Sequence, residues 1–162
     1  MSRRHFVGLL AACPLLRACE FVDVFEGEGG QVLFATFDLE LEDFAALREV
    51  GGTACATAGL LDVILIRIND TEIRAMERRC PHENLDMSPC DGNAQAAIFD
   101  PNNQNLICLH HGSVFNMNGQ VVGGPSPRDI RVFPTDFDQA TGRGAVFVSE
   151  EARAQASAGR PQ

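Results

Sequence analysis

The chain is 162 residues long, 45% hydrophobic and 22% charged, which suits one globular domain with a single core plus tails. Its formal charge of −9 excludes the basic face that nucleic acid requires; acidity of this size keeps a protein soluble and also suits docking to a basic protein partner. Every basic side chain apart from histidine is Arg, and the sequence contains neither Tyr nor Trp.

Residues 1–18 read as an export signal and are set apart from the fold. Ser2-Arg3-Arg4-His5-Phe6-Val7 looks like a twin-arginine signal, the kind that carries proteins already folded around a cofactor. The apolar run from Phe6 to Leu16 contains Pro14 and falls well short of the roughly 20 residues that a membrane-spanning helix needs. Leu16-Arg17-Ala18-Cys19 resembles a lipoprotein cleavage box in which Arg17 is atypical. It makes Cys19 the lipidated first residue of a periplasmic, membrane-anchored protein. Leu10-Ala11-Ala12-Cys13 has more usual box residues but leaves too short an apolar run ahead of it.

Residues 19–30 are acidic, end in Gly29-Gly30 and read as a tether; the domain proper is expected over 31–149. Gln31 to Leu41 is rich in strand formers, and Glu42 to Leu47 offers a short helical turn at most. After Gly51-Gly52 come two strand candidates, Thr53 to Ala58 and Leu61 to Ile68. The second is nearly all apolar, as a strand buried on both faces would be. Asn69-Asp70 turns the chain into a further strand, Thr71 to Met76. Asn118-Gly119, between Val114-Phe115 and Val121-Val122, predicts a two-residue hairpin. Arg128 to Phe137 and Gly144 to Val148 are the closing strands, joined through Thr141-Gly142-Arg143-Gly144, and 150–162 is expected to be a disordered tail. Short strands joined by Gly and Asn turns, with no long amphipathic run, predict an all-β domain.

The chemistry is concentrated between Cys80 and Ser113. Cys80-Pro81-His82 is a C-x-H pair and Cys108-Leu109-His110-His111 a C-x-x-H pair, followed by Gly112-Ser113. Each pair offers one soft thiolate and one borderline imidazole from a single loop, which is metal-site grammar. With Gly124-Pro125-Ser126-Pro127 further on, the pattern resembles the Rieske iron–sulfur family, in its respiratory branch. That resemblance covers about Gln31 to Val148. It implies an antiparallel β-sandwich base with an inserted cluster-binding subdomain over about 77–127, and one 2Fe-2S cluster per chain.

It further implies that Cys80 and Cys108 hold one iron and His82 and His111 the other, while His110 is no ligand. Imidazole ligation places such centres roughly between −150 and +300 mV, against about −400 mV with four cysteines. Ser113 matches a serine whose hydroxyl bonds a bridging sulfide. Phe115 stands where high-potential members carry a Tyr that bonds a ligand cysteine, and Leu85 and His110 stand where they carry a loop-locking disulfide. Asn84 occupies a position that is usually Gly and tolerates the same left-handed turn. The resemblance thus implies a potential well below that of the quinol-oxidising members. The spacing between the pairs is long for the family, and Asp86 to Asn93 reads as the insertion.

Other residues read more plainly. Cys55 is a small strand residue for the core, and nothing places it beside Cys90, so a bridge between them is not expected. Phe99, Phe133 and Phe147 are core candidates, and Arg78-Arg79 a solvated loop edge.

No catalytic residue or substrate pocket can be read. The expected role is a one-electron carrier, alone or as the redox subunit of an oxidoreductase complex. It takes electrons from a quinol or periplasmic oxidase and passes them to a cytochrome-type acceptor. The alternatives are the Rieske ferredoxin component of an oxygenase system and a zinc-stabilised β module.

Overall fold

The computed structural model describes residues 34–58, 61–87, 96–151 and 154. The signal, the tether, Cys90 and most of the tail lie outside them. Of the tail, Glu150, Glu151 and Ala154 are described and are helical.

In chain order the strands are β1 (Phe34–Asp38), β2 (Thr53–Ala58), β3 (Leu61–Asn69), β4 (Glu72–Glu77), β5 (Ala97–Asp100), β6 (Asn105–Cys108), β7 (Val114–Asn116), β8 (Val121–Gly123), β9 (Val132–Phe133), β10 (Thr135–Asp138) and β11 (Arg143–Phe147), with a 3₁₀ helix at Glu42–Arg48. They form three antiparallel sheets, β1-β11-β10, β2-β3-β4-β9 and β5-β6-β7-β8. Among the described residues no helix is long and apolar enough to cross a membrane.

The middle sheet organises the rest, and β3 is its key strand. Side chains alternate across a strand, so Val63 and Leu65 enter one core while Ile64, Ile66 and Ile68 enter another. Val63, Ile64, Leu65 and Ile66 are all fully buried, each contributing on the order of 1.5–3 kcal/mol. That is why the segment reads as a continuous apolar run and not an alternating one. The first core lies toward β1 and β11, with Phe37, Phe44, Leu47 and Val146; the second lies toward the third sheet, with Leu106, Phe115 and Met117. Arg67 interrupts the run. Its guanidinium donates to the carbonyls of Asn69, Asp70 and Leu47 and lies 4.7 Å from the centre of the Phe137 ring.

Strands β4 and β9 are neighbours in the middle sheet although the whole third sheet intervenes in sequence. The third sheet is therefore an insertion into a β-sandwich, as the sequence leads one to expect. Phe99, Phe133 and Phe147 are all buried.

Four details differ from expectation. The single candidate strand Arg128 to Phe137 is two strands in two sheets, split at Pro134, which has no N–H for a ladder. The Asn118-Gly119 turn is a four-residue loop, because Asn116 Oδ1 accepts from the main-chain N–H groups of Asn118 and Gln120, both at 3.0 Å. Met87, assigned to an insertion, is fully buried in the second core. Cys55 is disulfide-bonded. Cys80 and Cys108 are free thiols.

Candidate metal centre

Loop 1 follows β4 and loop 2 joins β6 to β7. They are one main-chain turn made twice. In each, the cysteine N–H donates to the carbonyl five residues on, Cys80 to Leu85 and Cys108 to Ser113, both at 2.8 Å. Its own carbonyl accepts from the N–H four residues on, Asn84 at 2.8 Å and Gly112 at 3.0 Å. Closing such a turn needs a left-handed residue at the fourth position, and Asn84 has φ 58° and Gly112 φ 77°.

The turns bring the two histidines together. His82 Nδ1 and His111 Nδ1 are 3.2 Å apart with the rings at 82° to each other. Two nitrogens bound to one tetrahedral ion, each about 2.0–2.1 Å from it, stand about 3.3 Å apart. The pair is therefore spaced for a shared metal, with both Nε2 atoms turned away from it. The rings lie at the surface, where the His111 side chain is 43% exposed.

The two cysteines occupy the opposite end of the site. Cys80 and Cys108 are 2% and 1% exposed and belong to the second core. Burial pushes the Cys108 thiol up, and the adjoining Cys80 adds to the effect. The main-chain N–H groups of His110 and His111, which bond the Cys108 sulfur, work against it. A buried thiol pair with N–H donors already aimed at one sulfur favours a bound cation over free thiolates.

Ser113 supplies an independent test of what belongs between these groups. It is fully buried, and its Oγ has no hydrogen-bond partner among the described residues. Such a hydroxyl is costly unless an acceptor meets it, and a sulfide of an iron–sulfur cluster is such an acceptor. The thiol pair, the imidazole pair and the orphaned hydroxyl together fit a 2Fe-2S group.

Two supports hold this frame. Gly124, which opens the Gly-Pro-Ser-Pro segment, packs so tightly on loop 2 that a Cβ there would lie 2.2 Å from the Gly112 carbonyl oxygen. Arg78 Nη2 pairs with Asp86 Oδ2 at 2.7 Å, and Arg79 and Asp86 form an antiparallel bridge across loop 1. Arg78 is thus a structural ion pair and not a solvated edge; Arg79 is exposed as expected. Sequence reasoning missed Glu83, whose Oε2 lies 3.6 Å from His111 Nδ1. Its signal was its place beside His82 at the loop tip. A carboxylate there disfavours added electrons, weakly, because water screens it.

The Rieske 2Fe-2S domain pattern matches residues 31–134, well over half of the chain. The chain belongs to the Rieske 2Fe-2S family. Membership brings with it a 2Fe-2S cluster and the role of an electron carrier. No curated protein matches the sequence.

Among solved structures, the ferredoxin of carbazole 1,9a-dioxygenase from Nocardioides aromaticivorans IC177 superposes with a TM-score of 0.52 at 15% identity, covering 61% of this chain and 86% of its own. The plasma membrane Rieske protein PetC3 from Synechocystis PCC 6803 gives 0.45 at 22% identity, covering 64% and 93%. The soluble domain of the Rieske protein II (soxF) from Sulfolobus acidocaldarius gives 0.48 at 15%, covering 75% and 80%. The ferredoxin confirms the Rieske fold, an all-β sandwich with an inserted sheet.

Proposed function

We propose that this Rieske protein is an exported one-electron carrier whose cluster is held by Cys80, His82, Cys108 and His111, with Ser113 bonding a sulfide. The observation that carries the reading is the polarity of the site. Buried thiols at 2% and 1% exposure face inward, and two converging imidazoles at the surface face outward. A 2Fe-2S cluster so ligated supplies reversible one-electron chemistry at a potential raised by the imidazoles. The outward Nε2 positions of His82 and His111 can bond a quinol or a partner's group and exchange a proton with it. This arrangement suits a protein that moves charge between partners.

The donor in this reading is a quinol system or a periplasmic oxidase such as a molybdenum enzyme of the arsenite oxidase kind, and the acceptor is a c-type cytochrome. Export is supported by Arg3-Arg4 in their signal context, with Cys19 as the lipid anchor. The disulfide at Cys55 adds to it, since such bonds persist in oxidising compartments. The net charge of −9 suits a basic partner.

Paramagnetic resonance of the reduced protein tests the ligation. A low average g value is expected, and His111→Ala or His82→Ala should abolish both signal and colour. Retention of either by those variants overturns the reading. A zinc-loaded, colourless purified protein would overturn it as well.

A second reading, a ferredoxin feeding an oxygenase, draws on the likeness to the carbazole dioxygenase ferredoxin and on Phe115 and His110 in place of Tyr and Cys. Cell fractionation separates the two. A protein that stays in the cytoplasm with the twin-arginine route intact is the ferredoxin.

A further inference from the structure

We propose that His110 is a positioning residue, a clasp between the two loops that fixes the Cys80–His82 ligand pair against the Cys108–His111 pair. The inference rests on the reading of those four residues as the cluster's ligands. His110 lies in loop 2, yet its Nε2 is 2.8 Å from the main-chain carbonyl oxygen of Asp86 in loop 1. A carbonyl can only accept, so Nε2 carries the proton and His110 is the donor.

The acceptor is anchored. Asp86 pairs with Arg79 across loop 1, its carboxylate takes Arg78 at 2.7 Å, and Met87 beside it is fully buried. The donor is anchored differently. His110 is followed directly by the ligand His111 and stands two residues after the ligand Cys108. Holding the ring therefore holds the main chain between the two ligands of loop 2. N–H donors at a sulfur favour the more negative, reduced state of an iron–sulfur centre and raise its potential. The clasp is an exposed hydrogen bond of ordinary strength, so the loops stay joined by a contact that can open and close without bond chemistry.

The test compares wild-type holo-protein with His110→Ala and His110→Gln, following loss of visible colour to excess chelator and the midpoint potential. His110→Ala should bleach about fivefold faster, which corresponds to about 1 kcal/mol, and its midpoint should move downward. His110→Gln, whose amide can donate to the same carbonyl, should recover most of both. Equal bleaching and equal midpoints in wild type and His110→Ala overturn the clasp, and so does a His110→Gln protein that behaves like His110→Ala.

If His110→Ala assembles no cluster, the pair Leu85→Cys with His110→Cys decides instead. A coloured oxidised protein that bleaches faster once a phosphine cleaves the new bridge supports the clasp; bleaching indifferent to that cleavage overturns it. Cys108→Ser is the control for the underlying reading. Colour surviving in Cys108→Ser sinks the ligand assignment, whereas a colourless Cys108→Ser beside an unaffected His110→Ala sinks the clasp alone.

Discussion

Loop 1 and loop 2 share a main-chain turn, closed by equivalent hydrogen bonds at Cys80 and Cys108, but they are supported by different physics. Above its main-chain bridge between Arg79 and Asp86, loop 1 is held by side chains: Arg78 on the Asp86 carboxylate, Arg79 Nη1 on the Asn84 carbonyl oxygen at 3.3 Å, and His110 reaching over from its neighbour. Loop 2 is held by main chain against main chain, with Gly124 wedged on Gly112 and Ser113. Charged, partly exposed contacts give way gradually under salt or substitution. A glycine contact with no room for a methyl group fails at once. The same turn is therefore adjustable on one side of the cluster and rigid on the other. The rigid side also presents the buried Ser113 hydroxyl that would tune the potential.

The sharpest way to break that comparison is Gly124→Ala. Its Cβ would stand 2.2 Å from the Gly112 oxygen and 2.6 Å from the Ser113 Cα, at a φ of 80°. Neither obstacle is a side chain that can swing aside. Overpacking and left-handed strain together should cost about 3–5 kcal/mol. Urea unfolding of the apo-protein measures it, and a cost below about 1 kcal/mol would mean that loop 2 is not rigidly wedged.

Ser113→Ala comes next and separates stability from redox tuning. In the apo-protein the hydroxyl has no partner among the described residues, so its removal should leave stability unchanged or raise it slightly. In the holo-protein a bond to a charged acceptor is lost, on the order of 1.5 kcal/mol, or roughly 65 mV for one electron. Redox titration should show the midpoint falling by about that much. An unchanged midpoint would place the Ser113 hydroxyl away from the cluster.

How much of this was legible beforehand follows from where each constraint is written. The four candidate ligands were readable because their meaning lies in residue type at short spacing. Strand β3 was readable because burial on both faces leaves an unbroken apolar run from Val63 to Ile66. Strands β5 and β6 were missed. At four residues each they are too short for alternation to stand out, and both owe their place to Leu106 and Phe99 meeting the second core. Pro134 was overlooked as a break because Val132 and Phe137 both look like strand residues, although they belong to different sheets. The bond from His110 to Asp86 joins residues far apart in the chain. No local pattern encodes it, nor the disulfide state of Cys55, and both needed the three-dimensional arrangement.

The finest contrast between the loops lies in their left-handed residues. Gly112 has open space around a hypothetical Cβ, so Gly112→Ala meets only the penalty of φ 77°, about 1 kcal/mol. Asn84 already bears part of that penalty at φ 58°, softened because its short amide side chain tolerates the left-handed region. Asn84→Gly should therefore relieve local strain but also loosen the unfolded chain. The two effects oppose each other, and the net change should stay within about 0.5 kcal/mol of zero, against a clear loss for Gly112→Ala. Parallel urea titrations of the two apo-variants would read the difference. If Asn84→Gly proved as costly as Gly112→Ala, the Asn84 side chain would have to contribute a contact of its own, and loop 1 would depend on its tip as well as on the Arg78–Asp86 pair at its base.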